Sequence, residues 1–330
     1  MEKVHRFKEL YAKAHEKMGE LNLLEKAALL VDVSWEKFVY GTSREDYFQY
    51  GFYLKNNRAR RTYINRKRAK QIVAVSNDKQ KSKIFADKEK FVEVFDKFVG
   101  RSILNMNKAT FEEFSAFCDQ HGRGFVKPRG GTYGRGVEII DLSGEIDRKA
   151  VYDKLCAADV LLEEVIVQHP RMAEMNSSSL NSLRVVTYLC ADGHSEIMPG
   201  AVIRVGRSGR IADNFHHNGI GAQIDIETGI VCSTGVDKNA NRYIVHPDTG
   251  ASILGFRIPL WDEVCKTVLQ AAKVVPEVRY VGWDVAITKD NTIVLVEGND
   301  RADPDLGQMS DGIGKWHAFK EKIDAVAATK

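Results

Sequence analysis

The chain has 330 residues, of which 44% are hydrophobic and 28% charged, and its formal net charge is +3. That length allows two or three compact subdomains, and the charge is too weakly basic to demand a polyanionic partner. No apolar run reaches the length of a membrane span, and the N-terminal MEKVHRFKEL lacks the apolar core of a signal peptide, so a cytoplasmic protein is expected.

Residues 1–75 read as helical. Phe7, Leu10, Tyr11, Ala14 and Met18 keep the three–four spacing of an amphipathic helix, and residues 21–33 continue apolar and Ala-rich. From Tyr47 to Asn77 there is no acidic residue, while Lys55, Arg58, Arg60, Arg61, Arg66, Lys67, Arg68 and Lys70 are basic. The aromatics Tyr47, Phe48, Tyr50, Phe52 and Tyr53 precede this run. Basic residues interleaved with aromatics can bind nucleic acid or an anionic surface. The run holds no nucleic-acid motif, and the favoured reading is a helix that docks its aromatics and solvates its charges, with no nucleic-acid partner.

Two further helical patterns follow, one on Phe91, Val94, Phe95 and Phe98 behind Asp87-Lys88, the other on Phe111, Phe114 and Phe117 with Thr110 as N-cap. Residues 124–140, GFVKPRGGTYGRGVEII, then read as a strand ending at Lys127-Pro128, a loop with Gly130, Gly131, Gly134 and Gly136, and a second strand. Glycines let backbone N–H groups turn toward an anion, and Lys127 would add a point charge to the same phosphates. A P-loop would need Lys-Ser/Thr after its last glycine, where Val137 stands, and a dinucleotide fingerprint would need a helix where VEII stands. The loop is therefore expected to be a hairpin flap laid over phosphates.

Residues 160–169, VLLEEVIVQH, read as a buried strand. Its edge could hold adenine through the backbone and a ribose through Glu163 or Glu164, of which only one can point to a given face. Arg184 and Arg204 interrupt apolar strands, and a core-strand arginine meets either a structural carboxylate or an anionic ligand. His216, His217, Asn218, Gly219 and Gly221 read as a second glycine-bearing turn. The five cysteines, Cys118, Cys156, Cys190, Cys232 and Cys265, show no CxxC and are read as having no histidine at ligand spacing. They fit reduced, mostly buried thiols and not a zinc site or disulfide framework.

Residues 261–275 make an amphipathic helix, and residues 281–300, VGWDVAITKDNTIVLVEGND, read as two apolar strands around the turn Lys289-Asp290-Asn291. A symmetric hairpin register puts Asp284 across from Glu297, at roughly 5 Å between Cβ atoms, where like charges destabilise. Asn299 points to the same face. Two carboxylates and an amide oxygen converging there fit a hard cation, and Mg²⁺ is the ordinary choice beside a phosphate.

This order of a lysine ahead of a helix, a Lys-Pro glycine hairpin, a Glu-bearing strand and an Asp-then-Glu-x-Asn hairpin resembles the ATP-grasp superfamily. The chain is most similar to its sugar-transfer-associated, glutamate ligase-related branch, through EDYFQYGFYL, ADKEKF, FVKPRGGTYGRGV, LLEEVIVQHP, NSLRVVTYL, DNFHHNGIG, GWDVAIT and VEGN. The resemblance implies an α+β fold in which two α+β lobes clasp ATP. The expected division is a helical, basic N-terminal region at 1–80, a flap-bearing lobe at 81–175, and a lobe with the metal hairpin at 176–330. Lys88, Lys127 and the flap with Gly130, Gly131, Thr132, Gly134 and Gly136 would meet the phosphates. Glu163 or Glu164, with the backbone at Val165 and Ile166, would hold adenine, and His169 or a neighbour would lie near the ribose. Asp284, Glu297 and Asn299 would hold Mg²⁺, and Arg184 and Arg204, catalytic together with Lys127, would face the transferred phosphate or the substrate. The implied activity is an ADP-forming ligase joining a small-molecule carboxylate to an amine or thiol through an acylphosphate, with surface or exported polysaccharide synthesis as its setting. The alternative is a kinase of the same fold phosphorylating a hydroxyl, with Asp213 or His217 as base. Two features depart from the pattern: the helical, basic N-terminal third, and a glycine turn that reads Asn218-Gly219-Ile220-Gly221 without adjacent glycines.

Overall fold

The computed structural model of the chain describes residues 2–129, 136–207 and 219–329, with side chains from residue 7 onward. Two antiparallel sheets carry it. The smaller has β1 (Ile103–Asn105), β2 (Arg123–Pro128), β3 (Glu138–Asp141) and β4 (Val160–Glu164) in the order β1-β4-β2-β3. The larger has β5 (Ser182–Leu189), β6 (Ser195–Ile197), β7 (Val202–Val205), β8 (Ile220–Gln223), β9 (Gly235–Val236), β10 (Arg242–Tyr243), β11 (Tyr280–Ile287) and β12 (Ile293–Asn299). Its order is β10-β9-β8-β7-β5-β11-β12, with β6 on β5.

The small sheet packs the helices Phe111–Gln120 and Arg148–Ala157 through Phe114, Phe117 and Leu155. Thr110 caps the first of these with a capping box to Glu113, as its position before an acidic first turn implies. The Phe91-to-Phe98 pattern is broken at Phe95, between Lys88–Val94 and Asp96–Val99. Phe85, Phe91, Phe95 and Val99 then join Trp283 in the core under the large sheet. The aromatics that precede the basic run are buried rather than displayed. Tyr47, Phe48, Tyr50 and Phe52 pack with Val202, Val236, Leu306 and Met309, so the helical N-terminal region lies against the large sheet.

Three local readings are corrected. The strand read over residues 160–169 stops at Glu164, and His169 already caps the helix Pro170–Ala173. Gly221 stands inside β8, not in a turn, where a Cβ would come within 2.5 Å of Leu306 Cδ1. Cys190 does have a histidine close by: its ligand atom and those of Asp192 and His194 lie within 4.8 Å of one another at the β5–β6 turn. There Asp192 and His194 are already hydrogen-bonded to each other, Oδ1 to Nδ1 at 2.5 Å.

Candidate active site

The hairpin β11–β12 pairs Asp284 with Glu297, but not by the symmetric register. The outer pairs, Val285–Leu295, Ala286–Val294 and Ile287–Ile293, are offset by one residue, and Val296 is the extra residue of a β-bulge that restores the Asp284–Glu297 and Gly282–Asn299 pairs. Asn291, at φ 62°, closes the turn. Across the other edge of β11, Asp284 faces Arg184 of β5, and Ser182 of β5 faces Arg204 of β7. Side chains alternate along a strand, so one face of the sheet carries Arg204, Ser182, Arg184, Asp284, Glu297 and Asn299 in a row.

Arg184 and Arg204 grip the same carboxylate. Arg184 Nε donates to Asp284 Oδ1 at 2.5 Å, and Arg204 approaches Oδ2 at 2.8 Å while also donating to Ser182 Oγ. Burial alone would raise the Asp284 pKa, but the two guanidinium groups more than offset it and hold the carboxyl at about 2. Glu297, by contrast, has no hydrogen-bond or ion-pair partner among the described residues. Beside it, Asn299 Nδ2 donates to Gly282 O at 3.4 Å. A cleft carboxylate outside any salt bridge of the described residues, next to an amide and a second carboxylate, is a donor set suited to a hard oxygen-seeking cation.

A cleft of about 970 Å³ separates this face from the small sheet and is lined from both sides. Lys127 projects from β2, and Lys88 opens the helix Lys88–Val94 with its Nζ donating to Pro128 O at 2.6 Å. Burial, then the neighbouring Lys127, lowers the Lys88 pKa, while Glu297 and Glu163 act the other way. Glu163 and Glu164 diverge, as strand alternation requires. Glu163 is buried on Arg101 and lies 3.9 Å from Lys127, whereas Glu164 accepts from the backbone N–H of Ser102. Burial pushes the Glu163 pKa up, but Arg101, Lys127 and Lys88 together hold it below the usual range. Val165 and Ile166 line the cleft just beyond β4. His169 is not among the lining residues: its N–H donates to Ile287 O at 2.8 Å and its Nδ1 accepts from Arg171 N. Gly136, at φ +72°, lies two residues ahead of β3, where a Cβ would meet Pro128 Cγ at 3.1 Å. The flap residues Gly130, Gly131, Thr132 and Gly134, and the turn residues Asp213, His216, His217 and Asn218, lie outside the described residues.

Sequence reasoning missed two parts of the site. Arg101 follows a left-handed glycine, Gly100 at φ +57°, and reaches both sheets, a role no local pattern marks. At the cleft end beyond the arginines, Gln49 Nε2 donates to Asp305 Oδ2 at 2.8 Å. Burial raises the pKa of Asp305, and burial with nearby Asp303 raises that of Asp46. Through Gln49 the N-terminal region thus packs against Asp305, a residue of the cleft lining, which its sequence does not announce.

The model of the sugar-transfer associated ATP-grasp family matches residues 58–324, and the chain belongs to that family and has its ATP-grasp fold. Several solved structures are remotely similar. The ATP-grasp ligase PsnB, solved with a minimal precursor, is 16% identical, with a TM-score of 0.45 over 77% of this chain and 64% of that one. N5-carboxyaminoimidazole ribonucleotide synthetase from Thermotoga maritima is 15% identical, with a TM-score of 0.43 over 74% of this chain and 49% of that one. The D-alanine-D-alanine ligase from Coxiella burnetii is 11% identical, with a TM-score of 0.46 over 77% of this chain and 61% of that one. This chain therefore spans less than two thirds of the length of each. No curated protein matches it.

Proposed function

We propose that the chain is an ATP- and Mg²⁺-dependent ligase that joins a small-molecule carboxylate to an amine or thiol. The observation that carries this reading is the facing arrangement in one cleft: Lys88 and Lys127 on the small-sheet side, opposite Arg184, Arg204, Asp284, Glu297 and Asn299 on the large sheet. Four cations and three oxygen donors for a metal around a single cavity suit a triphosphate better than a neutral ligand. The two lysines neutralise phosphate charge, and the backbone at Val165 and Ile166, one strand end away, holds the base. Glu297 and Asn299, with Asp284, are the donors for Mg²⁺, which when bound would neutralise phosphate oxygens.

A substrate carboxylate oxygen attacks the γ-phosphorus and the bond to ADP breaks, giving an acylphosphate. The amine nitrogen then attacks the acyl carbon, phosphate departs and the amine loses a proton. No side-chain nucleophile is needed, and catalysis is positioning plus charge neutralisation. In this reading Arg184 and Arg204, which hold Asp284 in the structure, are the groups that meet the transferred phosphate, and Asp284 would serve as a donor to Mg²⁺ when it is bound. The sugar-transfer family supports a sugar acid or a surface-polysaccharide precursor as one of the two substrates, in the cytoplasm.

The test is ATP consumption with Mg²⁺ across a panel of amino acids and sugar acids, with hydroxylamine present. A hydroxamate formed along with ADP and phosphate identifies the activated carboxylate. ADP with a phosphorylated hydroxyl and no hydroxamate replaces the ligase by the kinase.

A further inference from the structure

One conspicuous surface takes no part in the cleft. The helix Leu23–Trp35 continues into a π-helical turn, Glu36–Tyr40, and its inner face buries Leu29, Val33 and Glu36. Its outer face is apolar and bare. Leu24, Val31, Trp35 and Phe38 follow one another at helical spacing and are 81%, 68%, 56% and 82% exposed, with Leu23 and Val39 beside them. A contiguous apolar stripe of this kind marks an interaction surface. It lies outside the family-matched stretch 58–324, so it is an addition to the shared fold.

The charge around the stripe selects its partner. Residues 1–80 hold 17 Lys and Arg against 10 Asp and Glu, while the rest of the chain holds 31 against 35. The helix's own acids are largely neutralised. Asp32 is paired with Arg60 and Glu36 with Arg60 and Arg61, while Glu25, in the capping box with Asn22, keeps its charge at the opposite end from Phe38. Cations gather at the Phe38 end. Lys37 Nζ lies 5.9 Å from the Phe38 ring centroid, and Lys67 packs so closely on Gly41 that a Cβ there would be 2.8 Å from its Cδ. Lys70, exposed one turn further along the helix Arg66–Ser76, extends the basic surface. A second copy of the chain is a poorer fit. A stripe of this length is about 27 Å by 10 Å, well below the roughly 800 Å² per partner that a stable interface buries.

We propose that this helix lies in the plane of a bilayer surface that contains anionic lipid. Leu24, Val31, Trp35 and Phe38 enter the headgroup–acyl boundary, while Lys37, Lys67 and Lys70 face the lipid charge. The chain is thereby held at the membrane without crossing it, and no described helix is long and apolar enough to cross.

Trp35 makes the test direct, because Trp261, Trp283 and Trp316 are all buried. The full chain is mixed with vesicles of phosphatidylcholine and phosphatidylglycerol in equal parts, or of phosphatidylcholine alone, and followed by flotation and tryptophan emission. The expected result is flotation and a blue shift with the mixed vesicles. Both should weaken at high salt and be lost in Phe38→Glu and Leu24→Glu, whose far-UV circular dichroism and thermal unfolding stay unchanged. Lys67→Glu with Lys70→Glu should remove the preference for anionic lipid. No flotation with the mixed vesicles, or flotation and emission that Phe38→Glu leaves intact, overturns the proposal. So does a dimer that Phe38→Glu converts to monomer, which would assign the face to a second copy.

Discussion

Arg101 holds Glu163 across the gap between the two sheets. Its Nη2 and Nε donate to Glu163 Oε2 at 2.9 and 3.2 Å, and its Nη1 and Nη2 also donate to Leu295 O and Val296 O at the β12 bulge. One buried guanidinium thus fixes a cleft glutamate on the small sheet and the backbone of the bulge that puts Glu297 opposite Asp284. Replacing it with Leu strands a buried carboxylate, which costs about 3–5 kcal/mol. The pH sign is definite. In the wild type the Glu163 pKa is lowered, so its contribution is complete above the unfolded value of about 4.3 and is lost as pH falls through the folded one. In Arg101→Leu, burial is opposed by fewer cations and the folded pKa rises. The stability gap to wild type should therefore be widest near neutral pH and shrink in acid, as read from urea unfolding at several pH values.

Asp284 gives a second pH signature. Its folded pKa of about 2 lies below the ordinary aspartate value of 3.8. The stability it adds, about 2 kcal/mol, is present above the unfolded pKa and disappears as pH falls toward 2. Asp284→Asn should lose that increment at neutral pH and converge on the wild type in acid. A gap that stays constant across this range would mean that the two arginines do not set the Asp284 charge.

Thr110→Ala removes the side-chain oxygen that accepts from Glu113 N, and with it half of a capping box. The expected loss is about 1 kcal/mol, seen as a lower thermal midpoint with no change in ATP turnover. This cap was legible because it is local: a threonine, two acids and an apolar repeat follow in sequence. The hairpin pairing of Asp284 with Glu297 was legible for the same reason, since a tight turn leaves few registers. The route to it was not. The bulge at Val296 is held by Arg101, nearly two hundred residues away in sequence, and a side chain reaching between two sheets leaves no periodicity. His169 illustrates the opposite failure. The resemblance implied a place near the ribose for it, with the strand read through to residue 169, but β4 ends at Glu164, and Pro170 starts a helix that turns the histidine to its N-terminus. The burial of Tyr47, Phe48, Tyr50 and Phe52 followed from their apolar bodies, whereas the bond from Gln49 to the cleft residue Asp305 depends on tertiary packing that propensity does not encode.

Glu297→Ala separates catalytic from structural carboxylates. Glu163 and Asp284 are each held by arginine, so removing either disturbs the fold. Glu297 has no such partner among the described residues, and it repels Asp284 across the hairpin when no cation is between them. Its removal should leave the thermal midpoint unchanged or slightly raised, because a like-charge pair is relieved. Under the proposed reaction the same change should lower ATP turnover by about two orders of magnitude or more, as expected for losing one preorganised charge-stabilising group. The Mg²⁺ concentration needed for half-maximal rate should rise as well. Turnover measured against Mg²⁺, alongside a thermal scan, decides the matter. Normal turnover with an unchanged Mg²⁺ requirement would remove Glu297 from the metal site, and a large drop in thermal midpoint would show it to be structural.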